Sequence, residues 1–178
     1  MPQKLTVREL RAYLKSRSQE ELANDIAELF GQVDAVRDYY SMRLLRGFDE
    51  ELLTRYKAVI ENEFFPKRGY GSARLSVARR AVNDYKKASS SLAGLIDIML
   101  FYVEMGVRFT NTYGDIDEPF YNSMESMYKS VVKLIVQKRL QVEFESRCRQ
   151  IVSDTAGIGW GFHDALIDIH SEAFPTEE

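Results

Sequence analysis

The sequence is poor in the residues that hold small covalent or metal-bound folds together: it has one cysteine and two histidines in 178 residues. Cys148 alone cannot close an internal disulfide, and no zinc-finger spacing can be built around it. We therefore expect a reduced, cytoplasmic protein. Long apolar runs are also missing. Within Leu92 to Phe109 the charges Asp97, Glu104 and Arg108 leave only Ile98 to Val103 uninterrupted, far short of the ~20 residues a spanning helix needs. Met1-Pro2-Gln3-Lys4 lacks the charged-then-apolar order of a secretion signal, so neither export nor a membrane is expected. Charge of one sign is absent as well. A net charge of -3 and a pI near 5.6 exclude a generally nucleic-acid-coating protein but leave room for a local basic patch.

What the sequence does contain is a 45% hydrophobic content over a length that can bury its own core, and one domain over residues 1–178 is expected. With only four prolines and ten glycines, apolar residues recur at spacings of three and four along most of the chain. This predicts an all-α protein of about eight helices, in a compact antiparallel bundle or a short array of helical pairs. Thr6 with Glu9 and Ser18 with Glu21 have capping-box spacing and start the first two helices. The first is short, about Val7 to Lys15. The second carries Leu22, Ile26, Leu29, Phe30, Val33 and Val36 on one face and is expected to run towards Leu44. Asp49 and Ser72 offer caps for the third and fourth helices, with Pro66 and Gly69 between them. Ser89 to Ser91 precede a central apolar helix ending near Gly114, and Pro119 suits the first turn of the sixth. Val131 to Val136 could pass for a strand on composition, but the stripe from Phe120 through Met124 and Met127 enters it in phase, so a helix is predicted. Leu140, Phe144, Cys148 and Ile151 mark a seventh segment. Phe162, Leu166 and Ile169 mark an eighth, after the glycine-rich turn.

Phosphate-binding loops, nucleophile elbows and His-Glu-x-x-His helices are all missing, and no cofactor is implied. Three segments remain. Residues 111–122 hold Asn111, Asp115, Asp117 and Glu118 on a turn leading into a helix. Carboxylates there are stabilised by the helix N-terminus, and they are also what a hard cation or polar ligand uses. The metal, if any, is not identified, and the spacing is not that of an EF-hand. Residues 154–164 hold Trp160, His163 and Asp164 beside Gly157, Gly159 and Gly161. His163 next to Asp164 reads either as a structural hydrogen-bonded pair or as part of a site. His170, seven residues on, lies about 10 Å further along a helix and cannot share a metal with it.

The third segment is electrostatic. Residues 67–87 contain seven basic side chains against Asp84, a local charge of +6 in a chain of -3, so the remainder carries -9. Arg68, Arg74, Arg79 and Arg80, with Tyr70 available to stack, are candidates for a phosphate site. Salt bridges to the acidic remainder explain the same residues equally well.

The run Phe64-Phe65-Pro66, then Ala73 to Arg79, then Phe109 to Tyr121, and finally Gly157 to Asp164 resembles an uncharacterised bacterial family classed as a domain of unknown function. The resemblance covers nearly the whole chain. It implies a bacterial source and a single-domain protein, and no functional residue is carried over from it. Three functions are then in view. The first is a non-enzymatic binding or protein-interaction module, with a protein partner or a second copy of the chain. The second, nucleic-acid or phosphorylated-ligand binding through residues 67–87, is not favoured. The third is a small enzyme whose pocket joins the 111–122 and 154–164 turns, with His163 carrying a proton.

Overall fold

The computed structural model describes residues 5–175. Among them are nine α-helices and no strand: α1 Val7–Lys15, α2 Gln19–Gln32, α3 Asp34–Leu44, α4 Phe48–Phe64, α5 Leu75–Ala88, α6 Leu92–Tyr113, α7 Glu118–Lys138, α8 Gln141–Asp154 and α9 Phe162–Ala173. The fold is all-α, as the periodicity predicts. The helices fall into two compact units, α1 to α3 and α4 to α9.

In the first unit both capping boxes form, each hydroxyl accepting from the third backbone N–H of its helix while the glutamate reaches back. The long second helix expected to run towards Leu44 is instead two. The backbone is extended at Val33 (φ -122°, ψ 108°) and turns helical again at Asp34. Arg37 explains why the break is tolerated. It donates to Asp34 at 2.9 Å and to the Gly31 carbonyl at 3.1 Å, satisfying an acceptor near the end of α2. Helix α3 packs on α2, and no residue of α1 or α2 is buried.

The second unit is built around α6. Ser91 caps it by accepting from the Gly94 N–H at 3.1 Å, and its sequence is apolar on nearly every face, so it is buried among α4, α5, α7 and α8. Close packing depends on two glycines. A Cβ on Gly94 would lie 1.9 Å from the Tyr85 hydroxyl, and one on Gly106 would lie 2.2 Å from the Met124 sulfur. Two expected caps are used differently. Helix α4 begins after Gly47, in the left-handed region at φ 75°, while Asp49 accepts from the Tyr85 and Ser89 hydroxyls at 2.8 and 2.6 Å. Helix α5 starts after Arg74 with no side-chain cap, leaving Ser72 outside it.

Two of the charged residues that interrupt α6, Asp97 and Glu104, enter an ion network. Asp97 and Glu104 are seven residues apart and lie near one face. Lys57 on α4 reaches both Asp97 oxygens at 2.7 and 2.6 Å. Arg147 on α8 bonds Asp97 and also Glu104, at 2.6 and 2.9 Å to the latter. Burial alone would raise the Asp97 carboxyl, but the hydrogen bonds from Lys57 and Arg147 outweigh it and hold the group below its ordinary range. One aspartate thus ties three helices together. Nearby, burial pushes the Cys148 thiol up to about 12.

Candidate functional site

The loops of the second unit that sequence reading singles out meet at one end of it. Helix α6 stops at Gly114, whose φ of 91° suits glycine. Asp117 then accepts from the Phe120 N–H at 2.9 Å and caps α7, and Pro119 sits in the first turn, where its missing donor does no harm. Asn111, at the end of α6, donates to the Asp154 carbonyl at the end of α8 at 2.8 Å. Asp115 faces Gly159, whose added Cβ would lie 3.8 Å from the carboxylate. The 111–122 and 154–164 turns therefore touch.

Tyr121 is the hub of this contact. It is buried, and its hydroxyl lies 2.7 Å from the Thr110 hydroxyl and donates to Asp115 at 3.1 Å. Its ring stacks on Trp160 with centroids 6.4 Å apart and tilts against Phe162 at 5.2 Å. From Tyr121 a chain of rings crosses to the third loop: Phe120 at 5.5 Å, Phe109 at 6.0 Å, Tyr113 at 4.8 Å and finally Tyr70 at 6.1 Å. The middle of this chain is core and its ends are not. Tyr70 is 86% exposed, Trp160 62% and Tyr113 45%, whereas Phe109, Phe120 and Tyr121 are buried. Arg108 lies over the Phe65 ring at 4.2 Å beside them. Trp160 is held at φ 62°, a backbone state that bulky residues rarely adopt.

The candidate residues then separate. Asp117 acts as a helix cap, Asp115 accepts from Tyr121 within its own segment, and Asn111 ties the end of α6 to the end of α8. Glu118 is the first residue of α7 and exposed. His163 is partly buried and its Nδ1 lies 2.8 Å from the hydroxyl of Thr155, which is fully buried, while Asp164 is exposed. Among the described residues no group of three or more His, Cys, Asp or Glu side chains is placed to hold a metal ion. In the basic segment, Arg74 forms a two-pronged bond to buried Glu63 at 2.8 Å on each prong, and Arg79 donates to Ser126 at 3.2 Å. Arg74 and Arg79 are thus each held by a partner in the chain, although Arg74, like Arg68 and Arg80, remains exposed.

A cleft of about 360 Å³ opens beside this end, between α6 and α8, lined by Glu104, Arg108, Asn111, Ile151 and Asp154 among others. The sequence matches the family of unknown function DUF6155 over residues 5–174. The chain belongs to that family. The resemblance carried by the Phe64, Phe109 and Gly157 runs is thereby borne out across almost the whole DUF6155 chain, and it brings no activity with it. Nothing among the curated proteins or the solved structures matches the chain. No helix among the described residues is long and apolar enough to cross a membrane. Sequence reading does not single out Glu63, Tyr121 or Thr155. Each acts through a partner 8 to 11 residues away, across a loop or turn.

Proposed function

We propose that this DUF6155 protein is a binding module that engages a protein partner through the loop end of its α4–α9 unit. The observation that carries the proposal is the exposure of Tyr70, Tyr113 and Trp160 at the two ends of a ring chain whose middle is core. Rings anchored in this way lose little freedom on binding, and Tyr, Trp and Arg are the side chains that carry most of the energy at protein interfaces. Arg108 over the Phe65 ring and Asp115 bonded to the Tyr121 hydroxyl put one charge of each sign beside the rings. Loops carried on a rigid helical scaffold are where binding residues concentrate. The strained Trp160 fits the same reading, because strain persists only where the surrounding structure enforces it.

The test is site-specific photo-crosslinking in the cells that make the protein. A photoreactive residue at position 70 or 160 gives one discrete adduct. The same group at Val142, which is 98% exposed and lies on α8, gives none. Trp160→Ala placed alongside the probe at position 70 removes the adduct while leaving the circular dichroism spectrum unchanged. Equal labelling from all three positions refutes the proposal. Salt-sensitive binding of a single-stranded oligonucleotide that is lost in Arg68→Ala would put a nucleic acid in place of the protein.

A further inference from the structure

The α1–α3 unit has faces but no core. Among the described residues, eleven of the eighteen large apolar side chains that remain exposed lie in it, and none of its hydrophobic side chains is buried. A unit of roughly forty residues without an apolar interior is below the size at which a chain sustains its own fold. Five of the exposed residues fall into two stripes: Val7 and Leu10, with half-buried Leu14, follow one face of α1, and Ile26, Leu29 and Phe30, with half-buried Leu22, follow one face of α2. Helix α1 is not packed along α2, so neither stripe covers the other.

The two stripes differ in charge. Helix α1 carries Arg8, Arg11 and Lys15 against Glu9, a net +2, whereas α2 carries Glu20, Glu21, Asp25 and Glu28 and no base, a net -4. We infer that this unit is an interface with a second copy of the chain, in which basic α1 of one copy lies on acidic α2 of the other. A two-fold axis requires a self-complementary surface, and one apolar stripe of each sign on the same unit supplies it, with the α1-on-α2 contact occurring twice and closing the dimer. Weighted by their fractional exposure, the five exposed residues on the two stripes, Val7, Leu10, Ile26, Leu29 and Phe30, offer on the order of 400 Å², close to the apolar share of the ~800 Å² per partner that a stable interface buries. None of these residues belongs to the loop end, so the two proposals stand or fall separately.

Light scattering on the full chain over a wide concentration range reads the assembly. The wild type is a dimer. Arg8→Glu with Arg11→Glu, and separately Asp25→Lys with Glu28→Lys, each place like charges across both contacts and weaken the dimer at least tenfold. Mixed in equal amounts, the two variants form a heterodimer, because each contact is again of opposite sign. All four changes in one chain restore the homodimer. Leu29→Asp dissociates the dimer in every background. A wild type that is monomeric at all concentrations overturns the inference, including one that recruits an unrelated protein to these helices. So does failure of the two charge variants to pair when both retain wild-type helical content.

Discussion

Arg147→Met keeps the apolar stem of the side chain and deletes its fork. Four hydrogen bonds are lost, two to Glu104, one to the Asp97 carboxylate and one to the Asp97 carbonyl. Lys57 still holds Asp97, but Glu104 is left with neither of its donors from Arg147. Breaking a fully buried pair costs about 3–5 kcal/mol, and an exposed pair contributes about 0–1 kcal/mol. These side chains are 26–31% exposed, which places the expected loss near 2 kcal/mol, or a fall in Tm of about 4–8 °C. Urea unfolding followed by circular dichroism measures it. Its pH dependence tests the cause. The Asp97 carboxyl titrates below its ordinary value of 3.8 when folded, so the network contributes fully above that value and is lost as pH falls through the lower folded value. The gap between wild type and variant should therefore be constant from about pH 7 to about pH 5 and close in stronger acid. Lys87→Met, whose partner Asp84 belongs to an exposed pair, is the control and should stay within about 0.5 kcal/mol of wild type. A variant as stable as wild type at neutral pH, or a gap undiminished in acid, would refute the assignment of an ionic tie.

Gly71→Ala would put a Cβ 1.9 Å from the Phe64 carbonyl oxygen, a backbone atom that cannot rotate away. The 70–74 segment must then lift, losing the Ala73 N–H bond to Glu63 and straining the Arg74 fork. A loss of about 2 kcal/mol in thermal unfolding is expected, and an unchanged Tm would contradict the packing. Cys148 is fully buried with its thiol pushed up to about 12, so a thiol reagent should label it only at the rate of unfolding, and prompt labelling of the native protein would count against that burial. Asp117→Ala should lower stability by about 1 kcal/mol through loss of the α7 cap, with Asp117→Asn recovering most of it. If Asn is as harmful as Ala, the carboxylate has a role other than capping.

Features set within one turn of helix were legible in the sequence. The Thr6–Glu9 and Ser18–Glu21 boxes, the stop at Gly114, Pro119 in a first turn and the helical phase through Val131 to Val136 all depend on neighbours a few residues away. The break at Val33 escaped because the apolar stripe continues in phase across it, and periodicity carries no mark where the stripe is unbroken. Asp49 looked like a cap because its neighbourhood resembles one. Its actual donors, Tyr85 and Ser89, are 36 and 40 residues away. The loop end was legible as segments and not as a surface. Spacing points to residues 111–122 and 154–164, but the rings joining them to Tyr70 come from two helices, α6 and α7, and two loops, and only folding sets them in order.

Trp160 is the only tryptophan in the chain, and it projects into solvent while one face of its indole rests on Tyr121. The molecule therefore carries its own dye at the loop end. Selective excitation of the indole samples that surface alone, with no labelling chemistry. Emission from the unbound protein should be long in wavelength and readily quenched by iodide, and any body that seats on the loop end should shift the band to the blue and shield it. A titration of purified protein with a candidate partner then needs only a cuvette.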